Sequence, residues 1–385
     1  MQREEFKEIG HTGGQVIFRV ATDQDGRRSY QVRFQHSRPV PAVIFGVYAI
    51  PQGVAIGTIQ MGGIGDPWNP PPIPGCFPVF IASDSEGMFG QQCPECEGYW
   101  RCRGSPTVCP YCGIHVERHQ FLSAAQQRYV HQYCALLDEA LAAENDGEHV
   151  IDMDAVAEAV GKNAEKPPFY YAEESQQNKF RCRACGTVND ILGTFGYCSN
   201  CATRNDLQEL EAKSIPNLRN RINAGGAYEA CVKDAVAAFD SFVAQYAKQL
   251  VRRIPMTPRR KSRIEKVRFH NLSVIAVEIK GTFDIDILDG MKPEDVSFAT
   301  LMFHRRHVYE HNGGEADEKY IADSGDKSVR PKQALFETQE SAHRLTGLVG
   351  KMAANLHQGF HEIFVPNQSL IDRYRKQKTV GTTGD

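Results

Sequence analysis

Eight of the twelve cysteines are arranged as four CxxC pairs, a spacing that predicts metal binding. The pairs occur in QQCPECEG and TVCPYCG and again in FRCRACG and GYCSNCA, with twelve residues between the two pairs of each set. Each CxxC turn can direct two thiolates at one ion, so two turns complete a tetrahedron of sulfur ligands around zinc. Because four thiolates leave no open coordination position, we expect two structural rather than catalytic zinc ions. The predicted ligands are Cys93, Cys96, Cys109, Cys112, Cys182, Cys185, Cys198 and Cys201.

The two cysteine sets repeat one another along the chain. Cys93 and Cys182 are 89 residues apart, and each later cysteine of the first set has a counterpart at the same offset. This constant offset indicates a duplicated zinc ribbon. The N-terminal MQREEFKEIGH is too charged for a signal peptide. We therefore expect a cytoplasmic protein, in which reduced thiols favour metal binding over disulfides.

A second group of chemically capable residues lies in FATLMFHRRHVYEHNGGEADEKYI, where Arg306, His307 and His311 precede Asn-Gly-Gly. Asn and Gly commonly end helices in the left-handed conformation, so His311 is expected near a helix end. Positions five apart on one helix diverge by about 140°. Arg306 and His311 would therefore meet at one substrate only through unwinding at Asn-Gly-Gly or through a second subunit.

Two other interpretations of this segment stay open. Arg306 and His311 could simply bind helix-end carbonyls and neighbouring acids. Alternatively, His304, His307 and His311 could bind a metal, because steps of three and four share one helix face. The adjacent arginines argue against a bound cation.

The Arg-His dipeptide, followed after three residues by His-Asn-Gly-Gly and then by Asp317 and Tyr320, resembles the HEPN superfamily of all-helical ribonucleases. The signature of that superfamily places a polar residue after an arginine and a histidine four to six residues beyond the arginine. Arg306, His307 and His311 occupy those positions, although the preceding Arg305 leaves the assignment ambiguous by one residue.

The resemblance covers about residues 206–365. It implies a four-helix bundle that dimerises and cleaves RNA without metal at a composite site on the dimer interface. It also implies a setting such as a toxin or an antiviral defence effector.

The chemistry implied for this segment is physically reasonable. RNA carries its own nucleophile, the 2′-OH, so the protein need only manage protons and charge. His311 could act as general acid or base, and Arg306 could stabilise charge on phosphoryl oxygens. His307 could orient the arginine or the phosphate.

The run RRIPMTPRRKSRIEKVRFH is the strongest basic segment in a chain whose formal net charge is -3. It could contact phosphates, or it could be a solvated loop between helices; both can hold. The predicted RNA-binding residues are Arg259, Arg260, Lys261, Arg263 and Arg305.

The surrounding sequence predicts an α+β multidomain protein, since 385 residues exceed what one core usually organises. Alternating apolar runs between about residues 14 and 82 predict strands. Two apolar stripes, Tyr228 to Leu250 and Leu345 to Ile363, predict long amphipathic helices of a bundle. The longest apolar stretch, AVIFGVYAI, is shorter than the roughly 20 residues that cross a membrane, so no membrane association is expected.

The predicted domains follow this order along the chain. They are a β-rich region (1–90), zinc ribbon 1 (91–115), a helical spacer with a turn at Gly147 (116–165), zinc ribbon 2 (166–205), a HEPN-like helical bundle (206–365) and a flexible tail (366–385). The predicted function is a metal-independent endoribonuclease that acts on RNA as a homodimer. The alternatives are a non-catalytic zinc-ribbon adaptor or sensor that binds nucleic acid or a protein, and a scaffold without nucleic acid.

Overall fold

The computed structural model describes residues 8–10, 14–36, 43–60, 68–152, 173–267, 269 and 271–381. It confirms the predicted α+β class, with N-terminal sheets, two cysteine clusters and C-terminal helices; 46% of the described residues are helical and 19% are strand. The chain divides into two compact units. Unit 1 comprises Met1–Ala202 and Asn367–Asp385, and unit 2 comprises Thr203–Pro366.

The strands all lie in unit 1, in the part of the chain that is described. They are β1 (Glu8–Gly10), β2 (Gly14–Thr22), β3 (Arg28–His36), β4 (Ile44–Ala49), β5 (Ala55–Ile59), β6 (Phe77–Ala82), β7 (Phe89–Gln92), β8 (Tyr99–Cys102), β9 (Gly147–Asp152), β10 (Glu173–Glu174), β11 (Asn178–Arg181) and β12 (Val188–Ile191). They pair in the orders β3-β2-β9, β5-β4-β6, β11-β12-β8-β7 and β1-β10.

The core of the β-rich region forms where β2, β4 and β6 pack against helix α1 (Ala124–Ala142). Ser123 and Gln126 start this helix with a reciprocal capping box. The ring of Tyr133 on α1 meets the ring of Phe18 on β2 edge to face, 4.7 Å between centroids. Both rings are fully buried, so α1 belongs to the same hydrophobic core as the predicted strands.

The sequence analysis predicted helix on both sides of a turn at Gly147, and this prediction is wrong for residues 147–152. Gly147–Asp152 forms β9, which pairs antiparallel with β2. Ile151 is buried on this strand and lies opposite Val16. Pairing with a strand that is distant in sequence therefore outweighs the helical pattern of the surrounding sequence. The remainder of the predicted spacer, 153–165, lies outside the described residues.

The predicted flexible tail is also wrong over most of its length, because Gln368–Gly381 forms a helix, α10. Ile371 is 5% exposed and joins the apolar core of the ribbons. The backbone N–H of Asn367 donates to the carbonyl of Cys201 at 2.9 Å. The tail is therefore anchored by contacts with ribbon 2.

The described secondary structure of unit 2 is helical apart from isolated bridges such as the antiparallel one between Glu315 and Ala334. Its helices are α2 (Asp206–Glu209), α3 (Ile215–Asn223), α4 (Tyr228–Arg253), α5 (Pro258–Glu265), α6 (Leu272–Phe283), α7 (Pro293–His311), α8 (Glu318–Ser324) and α9 (Gln339–Ile363), with a π-helical turn at Leu210–Ser214.

The two predicted apolar stripes are the long helices α4 and α9, which pack against each other and against α7. The ring of Tyr246 on α4 lies 5.0 Å from that of Phe360 on α9, and the ring of Phe239 lies 5.8 Å from that of Phe303 on α7. These buried contacts form a core that holds α7, the helix with the predicted catalytic residues.

Candidate functional site

The two cysteine sets converge into compact sulfur clusters. Two Sγ pairs of the first set are 3.6 and 3.7 Å apart and two of the second are 3.7 and 3.5 Å apart, and all four Sγ atoms of each set lie within 4.8 Å of one another. A tetrahedron with zinc–sulfur bonds of about 2.3 Å has edges of roughly 3.8 Å, whereas a disulfide bond is about 2.05 Å long. None of the twelve cysteines forms a disulfide. The spacing therefore fits two four-cysteine zinc sites, as predicted.

The backbone around each CxxC pair is also built for a metal. The residue after each pair has a positive φ, and its N–H donates to the carbonyl of the first cysteine at 2.8 to 3.0 Å. In the first ribbon the N–H groups of Glu95 and Tyr111 also point at Sγ atoms, each at 3.4 Å. Donors aimed at sulfur stabilise thiolates, which are the metal-binding form. Zinc held here contributes directly to the folding free energy of unit 1.

The two ribbons are related by an approximate two-fold axis. β7 and β11 are equivalent at the offset of 89 residues, and so are β8 and β12. The two hairpins join through β8 and β12, in the order β11-β12-β8-β7. In that antiparallel pairing Arg101 lies opposite Asp190, and these two residues are themselves 89 apart. The axis therefore passes between Arg101 and Asp190.

Arg101 is the centre of a buried ion-pair cluster on this axis. Its guanidinium donates to Asp84 at 2.5 Å, to Asp190 at 2.7 and 2.9 Å, and to Glu86 at 2.9 Å. The side chains of Arg101, Asp84 and Asp190 are 0% exposed. Burial alone would lower the pKa of Arg101, but the bond to Asp190 and the charge of Asp84 raise it above its usual range. The sequence analysis did not predict this cluster. The signal that could have indicated it is that Arg101 and Asp190, at equivalent positions of the repeat, carry opposite charges.

The predicted catalytic residues lie on the last turns of α7, which continues without interruption to His311 and ends at Asn312. Gly313 and Gly314 have positive φ, so the predicted termination is confirmed. On one continuous helix Arg306 and His311 point about 140° apart. The helix does not unwind, and it does not bring these two side chains together within one chain.

The same helix does bring His307 and His311 together. Their rings are 4.6 Å apart between centroids, with an angle of 55° between the ring planes. Both residues are exposed. The structure thus pairs two imidazoles at the surface, four residues apart on one helix face.

Arg305, predicted to bind RNA, is committed to the interior of unit 2. Its guanidinium donates to Glu337 at 3.1 Å and to Asp326 at 3.2 Å, and the side chain is only 15% exposed. Burial opposes the charge of Arg305, but the bonds to Tyr320 and Glu337 raise its pKa. These ion pairs occupy Arg305 within unit 2, whereas Arg306 forms no part of them. The part of Arg305 in RNA binding stays a prediction, and so does the choice between the two arginines.

A cleft of about 480 Å³ opens beside α7. We call it the histidine cleft; its polar lining includes Arg263, Lys266, Glu278, His304, His307, Asp317, Lys319 and Asp323, and its lining includes neither Arg306 nor His311. Burial lowers the pKa of His304 below its usual range, which favours the neutral imidazole on the cleft wall. The cleft brings the predicted catalytic His307 and the predicted RNA-binding Arg263 to one surface.

The donor atoms of the three histidines of α7 do not converge on one point. Among the described residues, groups of three or more donor atoms within 4.8 Å of one another occur only at the two cysteine sets. The arginines beside the histidines would repel a cation in any case.

The middle of the basic run, Pro258–Glu265, forms helix α5, which Thr257 caps by accepting from the N–H of Arg260 at 3.4 Å. Arg259, Arg260 and Lys261 are exposed. The guanidinium of Arg263, 66% exposed, donates to Glu278 at 2.6 Å. Four of the predicted RNA-binding cations therefore lie on a solvent-exposed helix. This position is compatible with a solvated segment between helices and equally with contact to phosphates.

His357 and His361 on α9 are partly buried and engaged in hydrogen bonds. The hydroxyl of Tyr246 lies 2.7 Å from Nδ1 of His357. His361 accepts from the N–H of Arg204 at Nε2 and donates from Nδ1 to the carbonyl of Phe364. Burial lowers the pKa of His357 to about 3 and that of His361 to about 4, so both are neutral near pH 7.

Comparisons with known protein families, curated proteins and solved structures find no match for the chain. The resemblance to HEPN ribonucleases therefore rests only on the sequence motif between Arg306 and Tyr320. Among the described helices, none is long and apolar enough to cross a membrane.

Proposed function

We propose that unit 2 is a metal-independent endoribonuclease in which His307 and His311 transfer protons. The observation that carries this proposal is the exposed imidazole pair at the end of α7, next to a cleft lined by three cationic and three anionic side chains. The match of Arg306, His307 and His311 to the HEPN signature supports the same chemistry. The two zinc ions take no part in it, since their sulfur ligands fill the coordination sphere.

The reaction proceeds by attack of the 2′-OH on the adjacent phosphorus. One imidazole of the pair takes the proton of the 2′-OH, and the other gives a proton to the departing 5′-oxygen. The P–O bond to the 5′-oxygen breaks as the new P–O bond forms, which leaves a 2′,3′-cyclic phosphate. Arg306 stabilises the charge on the non-bridging oxygens through paired N–H donors.

The position of Arg306 on a continuous helix supports a composite site. Since Arg306 points away from the imidazole pair of its own chain, we propose that a second copy of the chain supplies the arginine through a dimer of the segment 206–365. The half-buried side chain of Arg306 lies beside Glu310, whose pKa is lowered chiefly by a bond to Lys233 and also by the charge of Arg306. Sedimentation at micromolar concentration tests the dimer; full cleavage by a monomer would contradict it. A toxin or antiviral defence setting would suit such an enzyme.

The cleavage experiment uses full-length, zinc-loaded protein, RNA without added divalent cations, and the matching DNA. RNA cut to 2′,3′-cyclic phosphate ends and intact DNA are expected, because only RNA has the 2′-OH. His307→Ala and His311→Ala should each lower the rate by roughly 10² to 10⁴. His343→Ala, a change on α9 that removes a bond to Asn223, is the matched control and should cut normally.

The second candidate function is a non-catalytic zinc-ribbon adaptor that binds nucleic acid or a protein. The observation that favours it is the separation of Arg306 from His311 on a continuous helix. Wild-type protein that retains RNA in a salt-sensitive manner but never cuts it, or His311→Ala protein that cuts as fast as wild type, would replace the enzyme by this adaptor.

A further inference from the structure

Helix α5 has a concave surface on each side. On one side is the histidine cleft, to which Arg263 and Lys266 contribute. On the other side is a groove of about 390 Å³ between α4 and α5, called the α4–α5 groove. Its lining is Ala244, Ala247, Lys248, Val251, Arg252, Lys261, Ile264, Glu265 and Phe269.

The α4–α5 groove has an apolar floor and a cationic rim. Ala244, Ala247, Val251, Ile264 and Phe269 form the floor. The rim contains Lys248, Arg252 and Lys261, all exposed, against the single carboxylate of Glu265. That carboxylate is 4.0 Å from Lys261, so Lys248 and Arg252 supply the excess positive charge.

The geometry points to unpaired, single-stranded RNA as the occupant: we infer that one base enters the α4–α5 groove while its flanking phosphates contact Lys248 and Arg252. This inference rests on the proposed function and names the substrate class. Lys248 and Arg252 are four residues apart on α4, so they lie on one face and follow one strand. The groove volume is within the range of small-ligand pockets, roughly 300 to 1,000 Å³.

A duplex does not fit this arrangement. Double-stranded RNA presents phosphates and 2′-hydroxyls, while its base faces are stacked inside the helix and cannot reach an apolar floor. In a single strand the bases are free to stack on an aromatic side chain, here Phe269. The strand then crosses α5, a width of about 10 Å, past the exposed Arg260 and Lys261 to the histidine cleft.

The test measures binding rather than cleavage, using His311→Ala protein so that the RNA stays intact. A fluorescent single-stranded RNA and the same sequence as a duplex are titrated by anisotropy over a salt series. Single-stranded RNA should bind about tenfold more tightly than the duplex. Phe269→Ala should weaken single-strand binding about 5- to 150-fold, the usual range for one stacked base.

The charge contribution is tested with the double variant K248Q/R252Q. It should weaken binding and reduce the salt slope by about 1.4, since each phosphate contact on a single strand contributes roughly 0.7. Lys327→Gln, which removes one exposed lysine outside the groove, is the matched control and should bind as the parent does. Unchanged far-UV circular dichroism must accompany each variant.

Each outcome has a distinct meaning. Equal affinity for duplex and single strand, or unchanged binding by both groove variants, overturns the inference. Competition by poly-glutamate as effective as by RNA would assign the groove to acidic peptides instead. If the groove variants behave as expected while the wild-type protein never cuts RNA, the groove stands and the proposed catalysis fails. If the wild-type protein cuts RNA and the groove variants cut and bind normally, the proposed catalysis stands and the inference about the groove fails.

Discussion

Replacing Arg101 by Met should destabilise unit 1 severely. The change removes four charge-assisted hydrogen bonds and leaves Asp84 and Asp190, both 0% exposed, without their cation. Breaking a fully buried ion pair by deleting one partner costs about 3–5 kcal/mol, because the remaining charge is buried and uncompensated. The comparison variant is Lys179→Met, whose ion pair with Glu86 is 43% and 34% exposed and should contribute about 0–1 kcal/mol.

Urea unfolding followed by tryptophan fluorescence measures this difference selectively. Both tryptophans of the chain, Trp68 and Trp100, belong to unit 1, and Trp100 is fully buried next to Arg101. With an m-value of about 2 kcal/mol/M, the midpoint for Arg101→Met should fall by roughly 1.5–2.5 M. The zinc content of each variant is measured in parallel, so that metal loss is not mistaken for the electrostatic effect.

A double-mutant cycle isolates the contribution of the axis. Adding Asp190→Asn to Arg101→Met removes one of the stranded charges, so the double variant should recover part of the lost stability, with a coupling energy of about 0.5–3 kcal/mol. If Arg101→Met unfolds at the same urea concentration as Lys179→Met, the cluster does not stabilise the ribbon pair and the reasoning from burial is refuted.

Three further predictions follow from the metal sites, the glycines and the buried histidines. Purified protein should contain two zinc ions per chain, and Cys185→Ser should release one of them; fewer than about one ion per chain of wild type would contradict the four-cysteine sites. Gly186→Ala should destabilise unit 1 by more than the about 1–2 kcal/mol that a left-handed residue costs, because its Cβ would lie 2.4 Å from a tyrosine ring of α10. Gly193→Ala, at φ +82° with open space around it, should cost only the backbone term, and equal losses would disprove the contact. Because folding lowers the pKa of His357 and His361, stability is fully present above about pH 6.5 and is lost as the pH falls toward 4, by up to about 1.4 kcal/mol per pH unit for each histidine. Urea unfolding of unit 2 by circular dichroism should show this slope, and His361→Gln should reduce it; a variant with the slope of wild type would refute the assignment.

Local patterns predicted the parts of the fold that depend on short-range chemistry. The CxxC spacing was enough for the sulfur clusters, since each turn forms from consecutive residues. The stripes of α4 and α9 were equally readable, because a 3.6-residue period marks one buried face. β9 was missed because it is stabilised by pairing with β2, which lies more than a hundred residues away in the sequence. α10 was missed because its apolar residues are few and are buried only against the distant ribbon core.

The candidate site was predictable in composition but not in geometry. The helix end at Asn312 followed from the sequence, and so did the divergence of Arg306 and His311 on a continuous helix. The ion pairs of Arg305 did not follow from the sequence, because its partners Glu337 and Asp326 lie 32 and 21 residues away along the chain. Side-chain roles set by tertiary ion pairs carry no local signal.

The approximate two-fold axis between Arg101 and Asp190 favours pairing of ribbon 1 with ribbon 2 over pairing of either ribbon with a copy of itself. Two copies of ribbon 1 joined in the same way would bury arginine against arginine, and two copies of ribbon 2 would bury aspartate against aspartate, each an uncompensated like-charge pair. Only the mixed combination neutralises the axis. The Arg–Asp difference thus disfavours pairing between two identical ribbons. It favours pairing with the other ribbon of the same polypeptide, which is present at high effective concentration.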